Sequence, residues 1–344
     1  MRIGTKRRSV SSALAAAVAL AVAACGSGST TVKKVSAASI PTKAESGVIK
    51  MGIEPWIGYG PWYIAQQEGY FKQLGLDVKI VNFNTDADRE AAFASGNTDV
   101  TNMPTQTALR FEQQNVGGRM VLLEDESLTA DAVIAQSPIN SIKDLKGKGV
   151  AYEQGTTSDI LIHYALKANG MSPSDIKIVP TNASAAGEAA AAGKVSAAVT
   201  YEPYISAALA QNKGFKRIYV AGADPGLVSD VLVASTNMID SKPGQVLALM
   251  KAWNMAISFY NAHRTQAEAI IAKADGATLA SLASSFSGVK LYSIPQNSSA
   301  LSGSFAHKTA IDVMNAALSA GLLSRKVDPS SDIEPQFVAA AAKG

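Results

Sequence analysis

Between Val48 and Val220, short apolar runs alternate with helical stretches, and the alternation runs through twice. Helices interleaved with strands argue a mostly parallel sheet covered by helices on its faces. In the first pass Val48–Ile53, Leu76–Val81, Asp99–Asn102, Val121–Leu123 and Ala132–Ala135 read as strands. Pro61–Glu68, Asp86–Ala94 and Pro104–Gln114 read as the helices between them. In the second pass Gly149–Tyr152, Ile176–Val179, Ala197–Thr200 and Arg217–Val220 are strands, with helices over Ser158–Ala168, Ser184–Ala192 and Pro203–Ala210. Past Val231–Ala234 the pattern is almost wholly helical, over Lys242–Ala274, Ala277–Phe286, Ser304–Ala320 and Ser331–Ala342. No third sheet can be built there, so those helices must cover an existing one. The expected fold is therefore α/β in two lobes. Lobe one takes residues 47–133 and 236–344, lobe two takes 137–226, and the chain crosses near 134–136 and 227–235. Ligand sites favour the cleft between such lobes and the carboxyl ends of parallel strands.

The N-terminal segment sets the compartment. Arg2, Lys6, Arg7 and Arg8 precede an apolar run, Ala13–Ala24, that ends at Val22-Ala23-Ala24-Cys25. A basic start, a short apolar stretch and small residues at a junction describe a secretory signal. The run is too short for a membrane-spanning helix, which needs roughly 20 residues. Cys25 is the one cysteine of the chain. The junction resembles a bacterial lipobox, which implies that residues 1–24 are removed and Cys25 is lipidated. Residues 25–46, rich in Gly, Ser, Thr, Ala and Lys, read as a flexible stalk. The expected location is outside the cytoplasmic membrane, tethered to it.

The net charge of +3 belongs to that leader, because the chain without residues 1–24 carries −1. A basic footprint for nucleic acid is therefore not expected. A single cysteine allows neither an intrachain disulfide nor a cysteine-based metal site. Stability must come from burial, which 47% apolar residues can supply.

The densest aromatic cluster, Glu54-Pro55-Trp56-Ile57-Gly58-Tyr59-Gly60-Pro61-Trp62-Tyr63, follows the first strand and opens the first helix. Trp56 and Tyr59 in a loop read as a ligand wall, while Trp62 and Tyr63 read as packing under the helix. Gly58 and Gly60 permit close backbone approach, and Pro61 suits a first helical position. Gly155-Thr156-Thr157-Ser158-Asp159 follows another strand and opens a helix, so its hydroxyls either cap N–H groups or meet ligand. Tyr201-Glu202-Pro203-Tyr204 follows the next strand end. Glu54, Asp125, Glu126, Asp131, Glu202 and Asp230 recur at strand ends, where Arg and Lys are scarce. Buried charge must be paired, so carboxylates facing the cleft call for a positive or donor-rich ligand group. His163, His263 and His307 all fall on helical stretches, and no H-E-x-x-H, G-x-S-x-G or Walker-type pattern occurs. No catalytic residue, metal or cofactor is expected.

Gly60-Pro61-Trp62-Tyr63-Ile64-Ala65-Gln66-Gln67-Glu68-Gly69-Tyr70-Phe71, followed by Leu74-Gly75-Leu76-Asp77-Val78, resembles the opening of solute-binding proteins for nitrate, aliphatic sulfonates, taurine and thiamine pyrimidine precursors. Ala94-Ser95-Gly96 with Asp99, Ile142-Lys143-Asp144-Leu145-Lys146-Gly147-Lys148 and Tyr201-Glu202-Pro203-Tyr204 extend the resemblance. It implies a type II periplasmic-binding fold that closes on its ligand, with a helical C-terminal region packed on lobe one. It also implies delivery to an ABC importer made of a permease and an ATPase, with the protein acting as a monomer. Carried over by position, the ligand-facing residues are Trp56, Tyr59 and Gly60, which Glu54 joins from the strand-end acids, then Met103, Pro104 and Thr105, then Asp125 to Ser127. Gly155, Thr156, Thr157, Tyr201, Glu202, Ser229 and Asp230 complete the ring. This acidic set favours a zwitterion or a neutral or cationic nitrogen compound at least as much as a simple anion. Two other classes stay open. One is a surface receptor reporting ligand to a membrane sensor. The other is a pyrimidine-precursor synthase, for which no reactive His and Cys-rich segment is found.

Overall fold

The computed structural model describes residues 39–343, together with Met1. The rest of the leader, Cys25 and the start of the stalk lie outside the described residues.

Two mixed sheets share one strand order. The first contains β1 (Val48–Ile53), β2 (Asp77–Asn82), β3 (Val100–Pro104), β4 (Gly118–Ser127), β10 (Ser229–Ser235) and β11 (Val289–Leu291). Its order is β11-β4-β10-β3-β1-β2, with β1 parallel to β2 and β3, and β10 antiparallel to β3 and β4. The second contains β5 (Asp131–Gln136), β6 (Gly149–Tyr152), β7 (Lys177–Pro180), β8 (Ala197–Tyr201) and β9 (Phe215–Val220), in the order β7-β6-β8-β5-β9. Here β6 runs parallel to β7 and β8, and β5 runs antiparallel to β8 and β9. In each sheet a strand reached by a crossing of the chain, β10 or β5, lies antiparallel between its two neighbours, and β11 adds a second antiparallel strand at the edge of the first sheet.

The crossings are displaced from the sequence expectation. The strand expected to close lobe one, β5, pairs with β8 and β9, so the chain changes sheet at residues 128–130 rather than 134–136. It returns over 221–228, and β10 already belongs to the first sheet. Apolar periodicity marks a strand but not which sheet will pair with it; that choice is made by cross-strand partners distant in sequence.

Elsewhere local chemistry accounts for the elements. Thr85 accepts from the backbone N–H of Asp88 and caps the helix Asp86–Ala94, whose first-turn acids suit its N-terminus. Pro61 lies in the first turn of Gly60–Gln67. The long pattern expected over 242–274 divides at His263 into Pro243–Ala262 and Arg264–Ala274, and both pieces pack against Gly60–Gln67. Trp62 and Trp253, both fully buried, meet there with ring centroids 4.9 Å apart. The C-terminal region is not wholly helical, because Val289–Leu291 pairs along β4 as an edge strand. Three residues are too few to show a strand period.

The last part of the expected stalk is docked. Ile40 is buried, and the Glu45 carboxylate accepts from the backbone N–H groups of Gly244 and Gln245 at 3.1 and 2.8 Å. It satisfies orphan donors at the start of Pro243–Ala262 and complements that helix terminus. Among the described residues no helix is long and apolar enough to cross a membrane.

Candidate functional site

Strand ends from both sheets converge on one small hollow of about 20 Å³, lined by Glu54, Trp56, Tyr59, Asp86, Pro104, Asp131, Thr157, Tyr201, Val228 and Asp230. Register explains much of the convergence. Asp230 stands opposite Pro104 across β10–β3 and opposite Asp125 across β10–β4. Asp131 stands opposite Tyr201 across β5–β8. The β10–β4 ladder shifts register at Asp230/Val231, and such irregularities re-aim side chains.

The first sheet's side of the hollow is a buried network. The Arg89 guanidinium is fully buried and bridges Glu54 and Asp86. Burial works against its charge, but the two carboxylates outweigh that cost and hold its pKa above the ordinary arginine value. Trp56 Nε1 donates to Asp125 Oδ2 at 3.0 Å, and Tyr59 donates its hydroxyl to Asp230 Oδ1 at 2.7 Å. Behind them Trp62 Nε1 donates to Glu124 Oε1 at 2.6 Å. Desolvation pushes Asp125, Asp131 and Glu124 well above the usual carboxylate range, with the neighbouring Asp230 charge adding to it. Desolvation likewise raises Asp230 to about 6, against the opposing bond from Tyr59. Gly58 is required by this packing, since a Cβ there would lie 2.0 Å from Asp125 Oδ2 and 2.3 Å from Trp56 Nε1.

The second sheet's side meets the first directly. Trp56 and Tyr201 pack edge to face, centroids 5.8 Å apart at 86°. Gln106 Nε2 donates to Thr157 Oγ1 at 3.0 Å. Ser285 Oγ, from the C-terminal region, donates to Glu202 Oε1 at 2.9 Å. The two halves of the cleft are closed upon each other.

Of the residues expected at the site, Glu54, Trp56, Tyr59, Pro104, Thr157, Tyr201 and Asp230 line the hollow. Asp125 stands behind Trp56 and beside Asp230. Ser127 accepts from the Asp131 backbone N–H through Oγ at 3.0 Å. Thr105 Oγ1 is bonded to the Ser229 carbonyl and hydroxyl, both at 2.9 Å, and Met103 is core. Thr156 donates to the Glu153 carbonyl at 3.0 Å, turning its own loop. Gly60 faces Ile271, whose Cδ1 would lie 2.4 Å from an added Cβ; its smallness serves helix packing. Glu202 is fully buried and is held by Arg217, Ser285 and the Ser206 backbone N–H. Asp86 and Val228 line the hollow without having been expected there. Asp86 reads in sequence as an ordinary first-turn helix acid; the signal that could have marked it is Arg89, an i+3 cation on the same helix whose guanidinium can hold two carboxylates.

Among the described residues no group of three or more His, Cys, Asp or Glu side chains is arranged to hold a metal ion. Residues 56–267 match the family model described as NMT1/THI5 like. An Escherichia coli K12 protein named for binding aliphatic sulfonates is 30% identical over 147 residues, 42% of this chain and 44% of that protein. The alkanesulfonate-binding protein of Xanthomonas axonopodis pv. citri, solved with MOPS, superposes with a TM-score of 0.70 at 18% identity, covering 84% of this chain and 99% of that one. The periplasmic nitrate-binding protein of Synechocystis PCC 6803 gives 0.72 at 13% identity, covering 88% and 89%. At such identities these structures establish the periplasmic-binding-protein fold.

Proposed function

This chain belongs to the NMT1/THI5-like family, and on that premise we propose that it is the extracytoplasmic solute-binding component of an ABC importer. The solute is a small organic nitrogen- or sulfur-containing compound, held where the two sheets meet and handed to a permease driven by an ATPase. A lipid on Cys25 tethers the protein to the membrane, and it works by binding rather than by chemistry. The observation that carries this reading is the meeting of Trp56 and Tyr201 across one hollow, each at a strand end of a different sheet. A ligand touching both halves favours the closed arrangement by its differential affinity for it. Relatives named for binding aliphatic sulfonates and taurine support the same class of cargo.

The test is a thermal-shift screen of the purified protein over alkanesulfonates, taurine, nitrate, ureas, guanidines and aminopyrimidines. A true ligand at a hundredfold excess over its Kd stabilises by about 2.7 kcal/mol. The compound must be recovered unaltered, and uptake in cells must stop when the permease is disabled. Chemical conversion of the compound, or uptake that persists without the permease, overturns the reading.

A further inference from the structure

Resting on the solute-binding reading, we propose that the buried end of the solute is a small organic cation, an ammonium, amidinium or guanidinium group. It is seated among Glu54, Asp86, Asp131 and Asp230 against Trp56, Tyr59 and Tyr201. The charge of the lining is the first argument. Four carboxylates line the hollow, and among the described residues no Lys, Arg or His does. Arg89 is fully buried behind it and committed to Glu54 and Asp86 together, so it offers no free cation to an incoming anion.

Donor geometry is the second argument. An anion such as nitrate or a sulfonate needs N–H and O–H groups aimed at it. The strongest donors here are already taken by carboxylates: Trp56 Nε1–H by Asp125 and the Tyr59 hydroxyl by Asp230. Acceptors, by contrast, are in surplus. Asp125 is fully buried, its Oδ1 has no hydrogen-bond partner among the described residues, and it stands directly opposite Asp230. Two carboxylates in that position share a proton or a counter-cation. The aromatic rings fit the same occupant, since Trp and Tyr faces attract cations and do so more strongly when desolvated.

Proton release follows from the seat. The titratable and charged groups around Asp230 are Tyr59, Glu54, Asp86, Arg89, Glu124, Asp125 and Asp131. Asp230 titrates at about 6, held up chiefly by burial, so below that pH it carries a proton that a cation must displace. Capture therefore strengthens as pH rises through 6 and weakens on acidification.

The experiment is titration calorimetry and thermal shift of the purified protein with guanidinium, acetamidinium and butylammonium, set against nitrate and methanesulfonate. The expected result is stabilisation by the cation series alone, a Kd at least tenfold weaker at pH 5.0 than at pH 7.5, and proton release measured in two buffers of different ionisation enthalpy. Asp230→Asn is expected to weaken cation binding at least tenfold and to reduce the protons released. The comparison of cations with anions on the unaltered protein needs no variant to fold. Silence of the cation series overturns the proposal. Response to the anions alone overturns it too while leaving the solute-binding reading intact, and silence of both series tells against that reading as well.

Discussion

The loops after β1 and β6 occupy equivalent places in two sheets of the same strand order, yet they bring different chemistry to the hollow. After β1 come Glu54, Trp56 and Tyr59, tied by Arg89, Asp125 and Asp230 into a fully buried network. After β6 comes Thr157, and after β8 comes Tyr201, with few polar ties of their own. The cores differ in the same sense. The first sheet is backed by Trp62, Trp253 and Phe337, whereas a satellite cluster in the second joins Ile134, Ile205 and Phe215 to six alanines, Ala132, Ala151, Ala186, Ala190, Ala198 and Ala208. Equal topology therefore does not mean equal work. The first half is a preorganised, charged face, and the second is a lighter cover that supplies a ring and hydroxyls.

Four measurements test that contrast. The largest effect is expected from Arg89→Met, which leaves Glu54 and Asp86 buried without a partner. Such a loss costs about 3–5 kcal/mol, read by denaturant unfolding. The second half's counterpart, Arg217→Met, removes a partly exposed cation from Glu202 and should cost less. Equal costs would abolish the contrast.

Next is pH. The folded pKa of Asp230, about 6, lies above its unfolded value, so the native state holds the proton more tightly. Stability without ligand is then highest below pH 4 for this group and falls as pH rises toward 6 and beyond, by about 3 kcal/mol at 1.36 kcal/mol per pKa unit. Glu153, raised to about 7 by burial, adds to the same slope from the second half. Asp230→Asn should shrink the slope without abolishing it, and thermal melts between pH 5 and 7.5 read both. A slope of opposite sign would refute the burial argument.

Gly58→Ala should cost about 1–3 kcal/mol by overpacking and should break the Trp56–Asp125 bond. Gly149→Ala in β6, where an added Cβ meets nothing nearer than Val179 at 3.7 Å, should stay within about 0.5 kcal/mol. Intrinsic tryptophan fluorescence and melting temperature together report the difference. The smallest effect belongs to Ser285→Ala, which removes one donor to Glu202 across the cleft. A bond of that kind contributes about 1 kcal/mol, so the open population should rise, visible as a larger radius of gyration in solution scattering.

Much of this was legible along the chain. Val48–Ile53, Asp86–Ala94 and Gly149–Tyr152 fall where apolar period and capping residues put them, because those signals are local. Trp56, Tyr59, Tyr201 and Asp230 were legible as candidates because aromatic and acidic residues just past strands have little core to enter. Glu202 reads the same way in sequence, and its burial against Arg217 and Ser285 depends on segments 15 and 83 residues away. Gly60 carries the sequence mark of a ligand-facing glycine, but the space it needs is taken by Ile271. Asp86 looks like a capping acid until β1 places Glu54 on the other side of Arg89.

The alternation of strands and helices, the aromatic and acidic stock of the strand-end loops, and the family are all written along the chain. These depend on residue type, period and short spacing, which are present before folding. Folding alone brings β5 into the second sheet, Asp125 opposite Asp230 and Trp56 against Tyr201. Those are pairings between residues far apart in sequence, and they are fixed by register and by burial that exist only once both sheets have formed.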